Sequence, residues 1–509
     1  MKKLFYSVCS LAHPSMGVIL EKVLEEKHNG NNVIFAYCNG VLPSCEANID
    51  GNCGYCSLCH HMYDNIINKY LDGVKVIPVS CYDNESDENE FAISRIEDLR
   101  EIKYKGVCIG MSILSLYISH TREMEGLLTP KQKIYFVTLL VRLKKFVDIA
   151  LDIIEKENPD SIAVYNGRKF ENRLFYDISL IKGIKFECLE VVGGPLWHED
   201  RFYRTQFDNG LPHNIHKYQE QMDMVWNDNS RTLEEKIELG SSFYYKRRTG
   251  QPAADIIFTK NMVENLLPDD YDKTKKNIVI FNSSDDEKAA LGGEWDEGKL
   301  FPTQYDAIEF VAKNAPENAH VYLRIHPNLS KIKYSYHMDL YKLKKYDNLT
   351  IIEPTSPISS YALMDIADQV VVFGSAMGVE GCFWGKPVLL LWKSLYYELD
   401  TCYVPKSQAE LKEMLASDLT PKDKNNAIKY GLYNLDRKVR VLDDSYININ
   451  MIEKNLFGLH FHVVDYLKIL NSRTLFRLWE EFCSRFLFKF YKNSTVFPAP
   501  EQVGTQSAT

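Results

Sequence analysis

The stretch from Thr355 to Leu391 restricts the fold most, because two short apolar runs, 369–373 and 387–391, alternate there with segments of helical character. Apolar runs of this length without polar alternation suit strands covered on both faces, and strands separated by helix-length segments make a parallel βαβ unit. The spacing predicts a helix over 359–367, a strand over 369–373, a tight Gly374-Ser375 turn, a helix over 377–383 and a strand over 387–391.

A small polar turn lets main-chain N–H groups at a helix start approach an anion closely, and phosphate is the natural ligand. Glu380 stands one helical turn after Ala376. A carboxylate at that depth can accept hydrogen bonds from two vicinal ribose or sugar hydroxyls. Since any doubly wound domain contains strand-Gly-Ser-helix turns, the neighbouring motifs decide. One strand ends in Leu323-Arg324-Ile325-His326-Pro327-Asn328, which sets an imidazole where open α/β sheets bind ligands. Another, over 278–281, runs into Asn282-Ser283-Ser284-Asp285-Asp286-Glu287. Three strand ends then share one crevice.

The set formed by Ser283-Ser284, His326-Pro327, Ser375 with Gly378 and Glu380, and Gly385-Lys386-Pro387 resembles the nucleotide-sugar-binding half of bacterial GT-B glycosyltransferases of capsule and surface polysaccharide synthesis. The resemblance covers about residues 275–395 and extends only loosely to the first half. It implies an α/β fold of two Rossmann-like domains facing a cleft, with C-terminal helices. It also implies a donor site drawn from Ser283, Ser284, Arg324, His326, Ser375, Gly378 and Glu380, with His326 and Ser375 on the donor phosphates and Glu380 on its ribose or sugar.

A chain of 509 residues exceeds one compact core, so two or three domains are expected. We place an acceptor domain over 1–255, a nucleotide-sugar domain over 256–440, C-terminal helices over 441–494 and a disordered tail over 495–509. The net charge of −9 argues against a general nucleic-acid binder. The N-terminal apolar stretch is too short for a signal peptide, and no run approaches the ~18 apolar residues of a spanning helix. A cytoplasmic protein is expected, with peripheral attachment to the inner face of the membrane as a variant.

The first half opens as a second doubly wound sheet, with strands over 4–9 and 32–37 and a helix over 15–27. No G-x-G-x-x-G follows the first strand, which speaks against a dinucleotide fingerprint. Between 38 and 61 lies a Cys-rich insert in which five cysteines fall within 22 residues, three of them spaced C-x-x-C-x-x-C. Cys53, Cys56 and Cys59, with Cys45 or Cys38 as a fourth thiolate, suit Zn²⁺ or an iron–sulfur cluster. The alternative is reduced cysteines that merely pack.

A strand over 161–165 ends in Asn166-Gly167-Arg168, and another over 185–192 carries Glu190. Arg168 suits bidentate binding of an anionic group, or an ion pair with Glu190 or Glu171. His13 and Glu190 are the candidate general bases on an acceptor hydroxyl, although His13 could equally start a helix. Residues 200–255 are expected to be polar and irregular, with helical stretches over 216–226 and 232–239 before an interdomain linker. Near the C-terminus, Arg473, Arg477, Arg485, Lys489 and Lys492 against Glu480 and Glu481 leave a net +3 among aromatic residues. Such a helix could lie on an anionic membrane or pack on the first domain.

The function expected is transfer of a sugar from a nucleotide-sugar donor to a glycan or lipid-linked glycan acceptor, with no divalent ion required. A nucleotide-sugar 2-epimerase shares the His326-Pro327-Asn328 and Glu380-to-Pro387 pattern. A glycan-binding protein without turnover is the alternative of another class, and transfer of a polyol phosphate from a CDP-activated donor is a further variant.

Overall fold

Strands 276–281 and 369–372 carry the unbroken apolar runs Ile278–Phe281 and Val370–Val372 because consecutive side chains enter different cores. Ile278 and Ile280 pack on one face of the sheet with Val371 and Leu389, while Val279 and Phe281 pack on the other with Val370 and Val388. Helices cover both faces, so neither can be polar. The computed structural model describes residues 1–9, 15–40, 45, 48, 53–80, 90–168, 170–191, 204–251, 253, 262–436, 454–456 and 459–461.

The chain divides into two compact units, Met1–Val192 with Leu196–Pro212 and Val441–Thr509, and Gly193–Pro195 with His213–Arg440. Among the described residues of the first are β1 (Lys2–Ser7), α1 (Ser15–His28), β2 (Asn32–Cys38), α2 (Cys53–Tyr70), β3 (Lys75–Val79), α3 (Ile109–Thr121) and α4 (Pro130–Glu157). They continue with β4 (Ser161–Tyr165), α5 (Phe170–Lys182), β5 (Lys185–Val191) and β6 (Arg204–Asp208). The strand order is β3-β2-β1-β4-β5-β6, parallel except for β6, which runs antiparallel to β5. This is the Rossmann order, with its topological switch between β1 and β4.

The second unit begins with α6 (Ile215–Asn227) and α7 (Leu233–Arg248), followed by β7 (Lys276–Phe281), α8 (Gln304–Asn314), β8 (Ala319–Arg324), α9 (Ser335–Met338) and β9 (Leu349–Ile352). After these come α10 (Ser360–Ile366), β10 (Gln369–Val372), α11 (Met377–Phe383), β11 (Val388–Leu390), α12 (Gln408–Ala416) and α13 (Lys424–Leu435). The described sheet is wholly parallel, in the order β11-β10-β7-β8-β9. Its switch lies between β7 and β10.

Four expectations are corrected. The boundary near residue 255 falls instead after Pro212, because α6 and α7 pack in the second unit. Helix α7 also runs to Arg248, past the stop expected at 239. Gly240 does not end it, since it is where α7 meets α13: a Cβ there would stand 2.4 Å from Ile428 O, and one at Gly431 would stand 2.2 Å from Gly240 O. Helix-to-helix backbone contact, not flexibility, requires both glycines.

The strand β6 lies in the segment expected to be irregular. Its Arg204 is buried against Glu21 and Glu25 of α1, so a charge occupies a core-like position and hides the strand pattern. In the C-terminal segment expected to be helical, β12 (Lys454–Leu456) and β13 (Leu459–Phe461) pair antiparallel. The basic aromatic segment after Phe461 and the tail over 495–509 lie outside the described residues. Among the described residues no helix is long and apolar enough to cross a membrane.

Candidate functional site

In the second unit, Phe281 pairs in register with Arg324 on one side and Val372 on the other, so β7, β8 and β10 end level with one another. Side chains hold the loops that follow. Asn282 Oδ1 accepts from the His326 N–H at 2.7 Å, and Ser283 Oγ donates to Phe373 O at 2.8 Å. Beyond these strand ends, at the topological switch, lies a cavity of about 550 Å³. Ser283, Ser284, Arg324, His326, Ser375 and Glu380 of the expected site line it, together with residues such as Arg247, Lys288 and Tyr361.

Arg324 closes β8 and is 2% exposed. Its guanidinium donates to the main-chain carbonyls of Glu353 and, at 3.4 Å, Ser356, while Nε has no hydrogen-bond partner. Among the described residues no carboxylate pairs with it. Burial alone pulls its pKa down to about 10. An ion in this position carries an uncompensated desolvation cost of several kcal/mol, which a bound anion would offset.

His326 Nδ1 accepts from the Asn328 N–H at 3.1 Å. The neutral ring therefore carries its proton on Nε2, which makes that nitrogen a donor. Ser284 Oγ donates to Asp286 Oδ1 at 2.5 Å, and Ser375 Oγ accepts from the Met377 N–H at 3.3 Å. Glu380 is fully buried. Its Oε1 accepts from Arg247 Nε at 2.9 Å and its Oε2 from Tyr361 Oη at 2.6 Å, leaving lone pairs on both oxygens.

Gly378 does not line the cavity. A Cβ there would meet Tyr396 Oη at 2.3 Å and Val372 Cγ2 at 2.9 Å, so the glycine makes room for Tyr396, whose hydroxyl donates to Ser375 O. Lys386 is structural too, donating to Asp365 O at 2.8 Å and Ala367 O at 2.9 Å at the end of α10.

Sequence reasoning missed Arg247 and Lys288. Arg247 lay in the presumed linker and reaches the site only because α7 packs within the second unit. Lys288 follows an acidic run with no periodicity to mark it.

In the first unit, Arg168 and Glu190 both follow or belong to the sheet's carboxyl edge. The β4–α5 turn has Asn166 at φ +61° and Gly167 at φ +62°. Asn166 Nδ2 donates to Glu190 Oε2 at 2.6 Å, and Arg168 Nε donates to Ser115 Oγ at 3.3 Å. His13 lies outside the described residues.

The C-x-x-C-x-x-C motif forms the first turns of α2 rather than a loop. At about 100° per residue, positions 53 and 59 stand about 120° apart around the helix axis. Cys59 Sγ instead meets Cys9 Sγ at 3.7 Å in the core, and Cys56 Sγ accepts from Asn48 Nδ2 at 3.4 Å. Cys45 exchanges main-chain hydrogen bonds with Asn48. Among the described residues no three Cys, His, Asp or Glu side chains form a group that could hold a metal ion. The Cys53 side chain lies outside them.

Two doubly wound α/β units in one chain occur in GT-B proteins, and this chain has two such units. No protein-family model matches it, and no curated protein matches it. Among solved structures, it is similar to the β-Kdo 2,7-transferase of Thermosulfurimonas dismutans KpsC, at 14% identity and a TM-score of 0.33, over 65% of this chain and 89% of that one. It is similar to a UDP-N-acetylglucosamine 2-epimerase from Listeria monocytogenes, described as putative, at 11% identity and a TM-score of 0.25, over 93% and 96%. A third is the Streptomyces sp. SF2575 glycosyltransferase SsfS6 complexed with thymidine diphosphate, at 11% identity and a TM-score of 0.22, over 86% and 96%.

Proposed function

We propose that this chain is a glycosyltransferase that binds a nucleotide-sugar donor in its second unit and passes the sugar to a glycan or lipid-linked glycan, in bacterial surface polysaccharide synthesis. The observation that carries the reading is Arg324, a buried guanidinium with no carboxylate partner among the described residues, lining a cavity at the topological switch. A donor phosphate supplies the missing anion. Arg324 and the His326 Nε2–H stabilise charge as it develops on the leaving phosphate, so the reading assigns no divalent ion to transfer. Glu380, fixed by Arg247 and Tyr361, keeps lone pairs for ribose or sugar hydroxyls. In the first unit Arg168 binds an anionic group, and Glu190 or His13 takes the proton of the acceptor hydroxyl.

The test is calorimetric binding of CMP-, UDP-, GDP-, CDP- and dTDP-linked sugars, with product analysis of each mixture. One nucleotide class should bind with slow hydrolysis, and Arg324→Met should weaken that binding about tenfold or more. Release of an epimerised nucleotide sugar would replace this reading with the epimerase. Failure of every donor to bind would remove the donor site.

A further inference from the structure

A second cation lines the same cavity, and the backbone is shaped around it. After β7 a short 3₁₀ turn, Asp285–Glu287, brings Lys288 back towards the end of β10. Lys288 Nζ donates to Phe373 O at 2.8 Å and approaches Lys393 O at 3.5 Å. Gly374 follows Phe373 with φ +79°, and a Cβ there would stand 2.2 Å from Lys288 Nζ and 2.4 Å from Lys393 O. The ammonium fills the volume a side chain at 374 would take.

Among the described residues Lys288 forms no salt bridge. Glu287, which also lines the cavity, and Asp285 favour the ammonium from nearby without reaching ion-pair distance: Asp285 Oδ1 accepts from Gln304 Nε2, and Glu287 Oε1 accepts from Asn328 Nδ2 at 3.1 Å. Lys299 adds a like charge nearby, and the Trp295 ring lies 5.7 Å from Nζ. From the β10 side it meets carbonyl oxygens. Lys288 and Arg324 are thus two cations on one cavity, each hydrogen-bonded only to main-chain carbonyls.

We infer that Lys288 is an anion-binding residue of this cavity and that, with Arg324, it selects a ligand carrying two negative charges. A nucleoside diphosphate joined to a sugar meets that requirement with one charge on each phosphate, and so does a nucleoside monophosphate joined to an acidic sugar. A ligand with a single phosphodiester charge leaves one cation unmatched. This inference rests on the donor-site reading and adds the charge of the ligand.

Inorganic pyrophosphate is the probe, titrated calorimetrically into the full chain and into Lys288→Met and Lys288→Gln, with thermal melts to confirm folding. Both variants should bind pyrophosphate about tenfold or more weakly than the native protein. Equal affinity in folded variants, or no pyrophosphate binding by the native protein, overturns the inference. If nucleotide sugars still bind native protein and variants alike, the donor-site reading stands and the role of Lys288 falls. Titrating a UDP-linked neutral sugar and a CMP-linked acidic sugar then separates the two ligand sources. CMP-linked neutral sugars binding as tightly as either would overturn the two-charge requirement.

Discussion

Arg247 Nε donates to Glu380 Oε1 at 2.9 Å, an ion pair between α7 and α11 in which the carboxylate is fully buried. The second carboxylate oxygen takes the Tyr361 hydroxyl, whose pKa is pushed far up, first by burial and then by that carboxylate. Removing one partner of such a pair leaves a buried charge unmatched, whereas removing the tyrosine hydroxyl deletes one hydrogen bond. Glu380→Gln should therefore cost about 3 kcal/mol of stability and Tyr361→Phe about 1 kcal/mol. Urea denaturation of both variants checks the ranking, and equal losses would contradict it.

Burial lowers Lys288 to about 8 from the ordinary 10.5, against the opposing pull of Glu287 and Asp285. Between those values the folded protein binds fewer protons than the unfolded chain, so this group makes stability rise with pH across that window. A bound anion favours the ammonium form. Pyrophosphate affinity should fall as pH rises through about 8, with proton uptake visible as a buffer-dependent heat, and Lys288→Met should lose both effects.

In the first unit, Glu26 receives Lys22 and Lys3 at 2.8 Å each, and Lys3 also reaches Glu187 at 2.9 Å. These partners outweigh desolvation and hold Glu26 down at about 2, against an ordinary 4.5. The stabilisation is fully present above the unfolded value and is lost as pH falls towards about 2. Glu26→Gln should flatten the acid limb of the stability profile between those limits. A profile parallel to that of the native protein would remove Glu26 as its source.

The contact between Gly240 and Ile428 O leaves no room for a methyl group. Gly240→Ala raises helix propensity, yet it should lower stability by about 1–3 kcal/mol because α7 and α13 must separate. A melting temperature at or above the native value would refute the close approach.

Much of the second unit was legible in the sequence. Apolar runs of strand length marked β7, β10 and β11, and Asn282-Ser283, His326-Pro327 and Gly374-Ser375 each fell where a parallel strand ends. Helix α4 is bounded by local signals, since Thr129 and Gln132 form a capping box and Asn158 adopts the left-handed conformation that closes it. Local patterns failed where packing gave a residue an unexpected task. Buried Arg204 disguised a strand, and the helical stretch expected over 232–239 runs on to Arg248 through Gly240, where it meets α13.

What the sequence by itself determined was two α/β units and the loops that carry the candidate donor site, since periodicity and strand-end chemistry are local properties. What only the tertiary structure decided was which charges share the cavity. Arg247, Lys288 and Arg324 are separated by tens of residues and come together through the packing of α7, a 3₁₀ turn and the register of β7 with β8. No local pattern encodes that meeting, because each cation's position depends on the chain it packs against and not on its sequence neighbours.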